Sequence, residues 1–336
     1  MSQLQPRTSD ELRALFLDFF REKDHPVLPG SPLAPHDDPT LLFTTAGMVQ
    51  FKPYYVAKGS IPYTRAATVQ PCFRASDLES VGRTARHQTF FEMLGNFSFG
   101  DYFKEEAIAW AWEFSVDRLK LPADRIIVTV FEDDDEAWDI WEKKIGVDPK
   151  RIARRGAKDN YWGPAGDSGP CGPCSELHID LRDDRSGPYD LDSDGDKILE
   201  YWNLVFPQFD AQPDGTKLPL RNRGIDTGMG LERLALIMQG VQSNYETDLF
   251  VPIMETVRGF AKGVDTTKGD GLVATRVMAD HARALVFAIS EGIVPGNDGR
   301  GYVLRRILRR SLLRANHLGI EGLVLAPIAD SVIGRM

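Results

Sequence analysis

Three cysteines in 336 residues, Cys72, Cys171 and Cys174, are too few for a disulfide scaffold and suit a reducing compartment. No apolar run approaches the roughly 20 residues a membrane helix needs. Met1 to Asp10 is polar without a hydrophobic signal core, so a cytoplasmic protein with no membrane partner is expected. Positive charge is not in surplus: 40 Lys and Arg stand against 49 Asp and Glu, a net −9, which excludes a uniformly basic nucleic-acid coat. Internal repeats and low-complexity tracts are missing as well. What is present is globular: 42% hydrophobic and 26% charged residues supply a core, and the length predicts about two domains.

Leu12, Leu15, Phe16, Phe19 and Phe20 fall at helical spacing behind a Thr8 to Glu11 capping box, and this helix ends before Pro26. A Pro-rich stretch to about Pro53 then reads as loop feeding a strand. Two strands are expected over about 66–75 and 87–99, around a charged loop. Period two places Thr89, Phe91, Met93, Phe97 and Phe99 on one face of the second strand and Gln88, Phe90, Glu92, Asn96 and Ser98 on the other. The second, more polar face is expected to meet a ligand. Helices over 104–120 and 135–145 flank a strand over 126–131, Gly163 to Cys174 reads as loop, and 197–209 is strand-like. The glycine-rich run Asp226 to Glu232 leads into the apolar helix pattern of Leu231, Leu234, Ala235 and Met238, and residues 274–336 read as mostly helix. The fold class is therefore α+β. A boundary near 242–245 divides the chain into domains 1–242 and 243–336.

Arg74 at a strand end and Arg233 at the start of a glycine-preceded helix stand where a phosphate binder needs guanidinium groups. Glycines let a ligand approach the backbone, and a helix N-terminus offers N–H groups to anions, although a Gly-x-Gly turn alone is also plain turn chemistry. The eight residues Asp226-Thr227-Gly228-Met229-Gly230-Leu231-Glu232-Arg233 resemble motif 3 of the class II aminoacyl-tRNA synthetases, in its alanyl form. Residues 38–48 (DPTLLFTTAGM) resemble that family's motif 1 region, and 89–102 (TFFEMLGNFSFGDY) its motif 2 strand. Residues 169–176 (GPCGPCSE), 202–206 (WNLVF) and 300–306 (RGYVLRR) also match, in family order, so the resemblance covers almost the whole chain.

The resemblance implies an antiparallel sheet flanked by helices, followed by a mostly helical, incomplete acceptor-stem recognition domain. It implies activation of L-alanine by ATP to alanyl adenylate and pyrophosphate, then transfer to the 3′ end of tRNA(Ala). Such chemistry needs in-line positioning and stabilised phosphate charge rather than a tuned base. Carried over by motif, Arg74 falls on the α-phosphate, Arg233 on the far phosphates or the adenine, and Gly230 beneath the nucleotide. Gln88, Phe90, Trp162, Tyr201, Trp202 and Asn203 also fall at ATP-contact positions. Asp226 falls on the substrate ammonium, with Asn203 and Trp162 beside the amino acid. The catalytic set is expected to be Arg74, Asp226 and Arg233. Magnesium is expected to arrive with ATP, and no zinc is expected. A small pocket rejects serine or glycine weakly, so editing is needed. The editing and oligomerisation regions of full-length members are not in this sequence, which leads to the expectation of a monomer.

Two departures stand out. His87 is followed by Gln88 where the family commonly has a second His, and an amide still hydrogen-bonds a nucleotide. The motif 2 loop is short and lacks its lysine, for which Arg83 or Arg86 is the candidate replacement. Cys171-Gly172-Pro173-Cys174 invites a redox reading, which its context opposes. The acids at 132–136 read as a solvated helix start rather than a metal cluster. Arg300, Arg305, Arg306, Arg309, Arg310 and Arg314 form a positive run, in which Arg305, Arg306, Arg309 and Arg310 make a basic ridge behind a stripe of Leu304, Ile307, Leu308 and Leu312, and Arg300 is also expected to bind tRNA. That ridge is expected to follow tRNA phosphates while Asn297 reads base edges. The rival readings are an adenylating enzyme that loads a carrier protein and a non-catalytic RNA-binding module.

Overall fold

A computed structural model of the protein describes residues 5–35, 38, 40–56, 61–185, 187–192 and 197–335. Met1 to Leu4, Pro39 of the motif 1 segment and Met336 lie outside the described residues. The chain opens with α1 (Ser9–Arg21), closed by the expected capping box: Glu11 N–H donates to Thr8 Oγ1, and Thr8 N–H donates to the Glu11 carboxylate at 2.7 Å. There follow α2 (Lys52–Val56), β1 (Arg65–Phe73), β2 (Phe90–Phe99), α3 (Lys104–Glu113), β3 (Ile126–Phe131), α4 (Asp135–Asp139), β4 (Ile152–Arg155) and α5 (Ala157–Asn160). Next come β5 (Tyr161–Trp162), β6 (Gly169–Asp180), β7 (Ile198–Val205), β8 (Phe209–Ala211), β9 (Lys217–Pro219), β10 (Gly224–Gly230) and α6 (Leu231–Gln239). The chain closes in helices α7 (Val251–Phe260), α8 (Gly269–Ser290), α9 (Gly299–His317) and α10 (Leu325–Arg335).

The sheet runs β1-β2-β10-β7-β6-β3-β4. Pairing is antiparallel from β2 through β3, and β4 lies parallel to β3 at the edge. One segment departs from the sequence reading. From Gly169 the Gly- and Pro-dense stretch is strand, because β6 changes partner as it goes: β8 at Gly169–Cys171, β5 at 172–173 and β7 from Cys174. Gly172 is there for close approach, since a Cβ would stand 2.1 Å from the Phe206 carbonyl oxygen.

Two compact units emerge. The first comprises Met1–Gly30, Ala46–Gln70 and Met93–Leu234, and the second Ser31–Thr45, Pro71–Glu92 and Ala235–Met336. The partition expected from sequence was contiguous, whereas these units interleave. In the first, Phe16, Phe20 and Phe114 pack edge-on against Trp202 of β7, so α1 and the π-helical turn after α3 cover one sheet face. In the second, Leu33, Phe43, Phe73, Leu78 and Phe90 join Ala284, Leu285, Ala288, Leu304 and Ile307 in one core. Phe73 stacks on Phe43 at 4.2 Å, and Phe90 on Phe287 at 4.1 Å. These long-range apolar partners are why the 31–45 and 71–92 segments belong with the C-terminal helices. On α9 the buried stripe is Leu304, Ile307, Ser311 and Ala315, while Leu312, expected inside, is 46% exposed. Among the described residues no helix is long and apolar enough to cross a membrane.

Candidate active site

Cross-strand register builds the site in the first unit. Asp226 of β10 lies opposite Val205 of β7 and Phe97 of β2, and Gly228 lies opposite Asn203, which in turn faces Glu176 of β6. Directly opposed residues share a sheet face, so Asp226, Gly228, Asn203, Glu176 and Cys174 stand together on the face away from α1. Asp226 is 5% exposed, and no group among the described residues hydrogen-bonds its carboxyl. Burial alone pushes its pKa up to about 7. Asn203 Oδ1 is likewise buried without a partner. Burial, with Glu200 nearby, raises Glu176, and the hydrogen bond from His178 at 3.2 Å opposes that rise. Cys174 remains a thiol, pushed well up by burial and by Glu176.

A β-bulge decides which residues of β7 enter this face. Leu177 pairs with Trp202 but His178 pairs with Glu200, so Tyr201 is an extra residue. Tyr201 and Trp202 consequently point the same way, into the helix-covered core, each 1% exposed. The Tyr201 hydroxyl donates to Ser115. This corrects the expectation that both side chains contact ATP. The bulge swings Glu200 inward instead, where its carboxylate and its carbonyl both accept from Arg233 Nη1 of α6, at 2.8 and 2.9 Å. Strict alternation hides this partner, because it places Glu200 opposite Asn203. Gly230 is in register with Met93, and the atoms nearest a would-be Cβ there belong to the Arg233 stem, at 3.6 to 3.7 Å. Trp162 stands on β5 opposite Gly172, half-buried.

The faces of β2 are reversed relative to the sequence reading. Met93 and Phe97 pair with Gly230 and Asp226, so the mostly apolar side is the site side. The other side is polar because it is bonded inside the protein. Glu92 pairs with buried Arg283 of α8 at 3.4 Å, Asn96 donates to Tyr102, and Ser98 donates to the Tyr102 carbonyl. Phe90, expected at the nucleotide, is fully buried in the second unit's core beneath the Arg283 guanidinium. Gln88 is 5% exposed; its Oε1 accepts from Asn244 and its Nε2 has no partner.

In the second unit Arg74 ends its strand as expected. Its N–H donates to the Thr89 carbonyl, Nε donates to the Thr45 carbonyl at 3.1 Å, and the guanidinium lies 5.0 Å from the Phe91 ring centre. Asp280 of α8, fully buried, accepts from the Thr89 N–H at 2.8 Å and so holds the same strand end. The short loop after Arg74 is pinned. The Tyr245 hydroxyl accepts from Gly82 N–H and donates to the His87 carbonyl, while Asn244 N–H donates to Ala85 and its side chain to Arg86. Arg83 is exposed and Arg86 half-buried.

The basic ridge is only partly a ridge. Arg300 turns away and donates to the carbonyls of Pro35, Leu41 and Leu42, which corrects its assignment to RNA. Arg306 and Arg310 both reach Glu79 Oε1, at 3.2 and 3.5 Å, and Arg310 is largely buried. Arg305 donates to Asn297 Oδ1. Arg309 is exposed with no described partner. Asn297, Tyr302, Arg305, Arg306 and Arg309 line a cavity of about 360 Å³. Glu79 and Glu200 carried no signal in the sequence, and the one available sign for Asp280 was a polar residue within the apolar pattern of α8.

Cys171 and Cys174 are free, buried and three apart on β6, so they face opposite sides and do not form a redox pair. Of the acids at 132–136, Asp134 is buried, caps α4 and binds Lys104 at 2.6 Å, while Asp135 pairs with Arg154. Among the described residues no group of three His, Cys, Asp or Glu side chains is placed to hold a metal.

A largely antiparallel sheet, helices on one face and a dry carboxylate flanked by a glycine-rich strand on the other are what the sequence motifs imply. Residues 11–336 match the family model of tRNA synthetases class II (A), and the chain belongs to that family. Its curated relatives are alanine–tRNA ligases. That of Chlorobium luteolum is 52% identical over 334 residues, covering 98% of this chain and 37% of the relative. That of Desulforamulus reducens is 49% identical over 332 residues, covering 98% and 38%. That of Halorhodospira halophila is 53% identical over 320 residues, covering 94% and 36%. The chain thus spans a little over a third of the length of the curated relatives it matches.

Proposed function

We propose that this chain performs the alanine–tRNA ligase reaction: L-alanine and ATP give alanyl adenylate and pyrophosphate, and the alanyl group passes to the 3′-terminal adenosine of tRNA(Ala). One observation carries the reading. The Asp226 carboxyl, buried and raised in pKa by that burial alone, lies on the strand next to Asn203, whose buried amide oxygen has no partner among the described residues. A small ammonium ion supplies three N–H donors and the compensating charge, and its arrival favours the ionised carboxylate. Val205, Cys174 and Phe97, in register with Asp226, line its surroundings with apolar side chains, which suits a methyl side chain.

In the first step the alanine carboxylate oxygen attacks the α-phosphorus, and the bond to the β,γ-pyrophosphate breaks. Arg74, by its motif 2 position, binds the α-phosphate, and Arg233, aimed by Glu200, binds the far phosphates. Gln88, Trp162 and Gly230 are proposed beside the nucleotide. In the second step a hydroxyl of the terminal adenosine attacks the alanyl carbonyl carbon and AMP leaves. Asn297, Arg305, Arg306 and Arg309 are proposed to meet the acceptor stem, with residues 1–242 as catalytic domain and 243–336 as recognition domain. Magnesium is carried chiefly by the ATP phosphates, as suits a cation that keeps few protein ligands. A cytoplasmic location and a monomeric state complete the proposal.

ATP–pyrophosphate exchange without tRNA tests this, with alanine, serine, glycine and larger amino acids compared. Exchange strongest with alanine and depressed in Asp226→Asn supports adenylation. No exchange with any amino acid in folded protein removes it and favours the RNA-binding module.

A further inference from the structure

The structure assigns a positioning role to a buried hydrogen-bond chain, Thr227–Asn96–Tyr102–His25, which holds Asp226 in the geometry that receives the ammonium group; this rests on the reading of Asp226 given above. The chain starts at a break in the sheet. The β10–β2 ladder pairs Asp226 with Phe97 and Met229 with Leu94 but skips Thr227 and Gly228. Where the backbone pairing lapses, the Thr227 hydroxyl takes over, accepting from the Asn96 N–H at 3.1 Å and donating to Asn96 Oδ1 at 2.6 Å. The same stretch is sterically closed, since a Cβ on Gly95 would stand 2.9 Å from the Thr227 carbonyl oxygen.

From Asn96 the chain runs on through Nδ2, which donates to the Tyr102 hydroxyl at 2.9 Å, and that hydroxyl lies 2.9 Å from His25 Nε2. Its direction is fixed by chemistry. His25 Nδ1 lies 2.9 Å from the Lys23 carbonyl, an acceptor only, so Nδ1 carries the proton and Nε2 accepts from Tyr102. Burial keeps this histidine neutral, with a pKa lowered to about 4. Thr227, Asn96, Tyr102 and His25 are each 3% exposed or less, so every link exchanges hydrogen bonds inside the protein.

On the other side of Asp226 the Tyr55 hydroxyl donates to the Ile225 carbonyl at 2.7 Å. The carboxyl that has no partner of its own is therefore held by its two sequence neighbours. A dry carboxylate that must meet a small ligand depends on such placement, because a displacement of about 1 Å is enough to lose on the order of a hundredfold in rate.

Thr227→Val removes the hydroxyl and keeps the shape, Thr227→Ser keeps the hydroxyl, and Tyr102→Phe cuts the chain two links away. In alanine-dependent exchange, Thr227→Val is expected to raise KM for alanine about tenfold with KM for ATP within about twofold, and Thr227→Ser to stay near wild type. Tyr102→Phe is expected to raise the alanine KM about threefold, and adding it to Thr227→Val to cost little more, as members of one chain are not additive. A ¹³C NMR titration of the Asp226 carboxyl needs no substrate: its midpoint falls by at least about half a pH unit in Thr227→Val and Tyr102→Phe, as water gains access, but not in Thr227→Ser. Equal midpoints in folded wild-type, Thr227→Val and Tyr102→Phe protein overturn the inference whether or not the chain activates alanine. So does a parallel rise in both KM values. Absence of exchange in wild type, with the midpoints shifted as stated, removes the ammonium-site reading and leaves the positioning of Asp226 standing.

Discussion

Arg233 and Glu200 are joined through a single nitrogen, with Nη1 donating to both the carboxylate and the main-chain carbonyl of the same residue. The side chains are 23% and 34% exposed, so the pair adds little stability and acts by aiming the guanidinium. Glu200→Gln is expected to raise KM for ATP about fivefold in pyrophosphate exchange, with KM for alanine and the melting temperature almost unchanged. An unaltered ATP KM detaches this pair from the nucleotide.

Asp226 predicts a pH dependence in two directions. Ammonium binding needs the ionised carboxyl, so with a pKa of about 7 the apparent affinity for alanine weakens below neutrality, approaching about tenfold per pH unit. Stability without ligand runs the other way. The folded pKa is raised, so the protonated carboxyl favours the fold at low pH and that contribution is lost as pH rises through 7, by up to about 4 kcal/mol. Urea melts of Asp226→Asn and wild type are expected to differ in the variant's favour more at pH 8 than at pH 5. A difference independent of pH shows that the carboxyl is not dry.

Glu79 occupies Arg306 and Arg310 with a carboxylate where RNA would bring a phosphate. Glu79→Gln frees Arg306 at little cost in stability, because the carboxylate and Arg306 are mostly exposed. Filter binding to tRNA(Ala) at low salt is expected to tighten about three- to tenfold. Weaker binding in this variant means the carboxylate positions the arginines for RNA instead of competing with it.

Arg309 and Arg300 separate affinity from architecture. Arg309→Ala is expected to make the slope of log affinity against log salt shallower by about one, with an unchanged melting temperature. Arg300→Ala is expected to lower the melting temperature, since three carbonyls of the 35–42 segment lose a donor, while the salt slope holds. Matching behaviour of the two variants contradicts the division between them.

Helical elements were legible because their signals are local: the Thr8 cap, the apolar period of α1 and the glycine-to-helix transition at Leu231 follow from neighbours in the chain. Strand faces were not. The alternation of β2 was read correctly, but which face turns to the candidate site depends on α8, almost 200 residues on, whose Arg283 satisfies Glu92. Tyr201 and Glu200 exchanged places through one inserted residue, which no periodicity announces. In the C-terminal arginine run, composition showed charge but not the local carbonyls that Arg300 serves or the Glu79 carboxylate. Resemblance pointed to Asp226 and Asn203; that they stand on one sheet face, with Asp226 buried and Asn203 Oδ1 unpartnered, needed the register.

The interleaving of the two units bears on how the chain is made. Phe43, Phe73 and Phe90 leave the ribosome some 200 residues before Ala284, Leu304 and Ile307, the side chains that share their core. Closing such long loops is slow, so during synthesis the 31–45 and 71–92 segments wait as uncovered apolar chain. Protease sensitivity of ribosome-bound intermediates is expected to persist there until α9 emerges, and early protection of both segments would show that they find cover without it. The order of the chain thus sets a delay between making these apolar side chains and covering them, which a contiguous two-domain layout would not create.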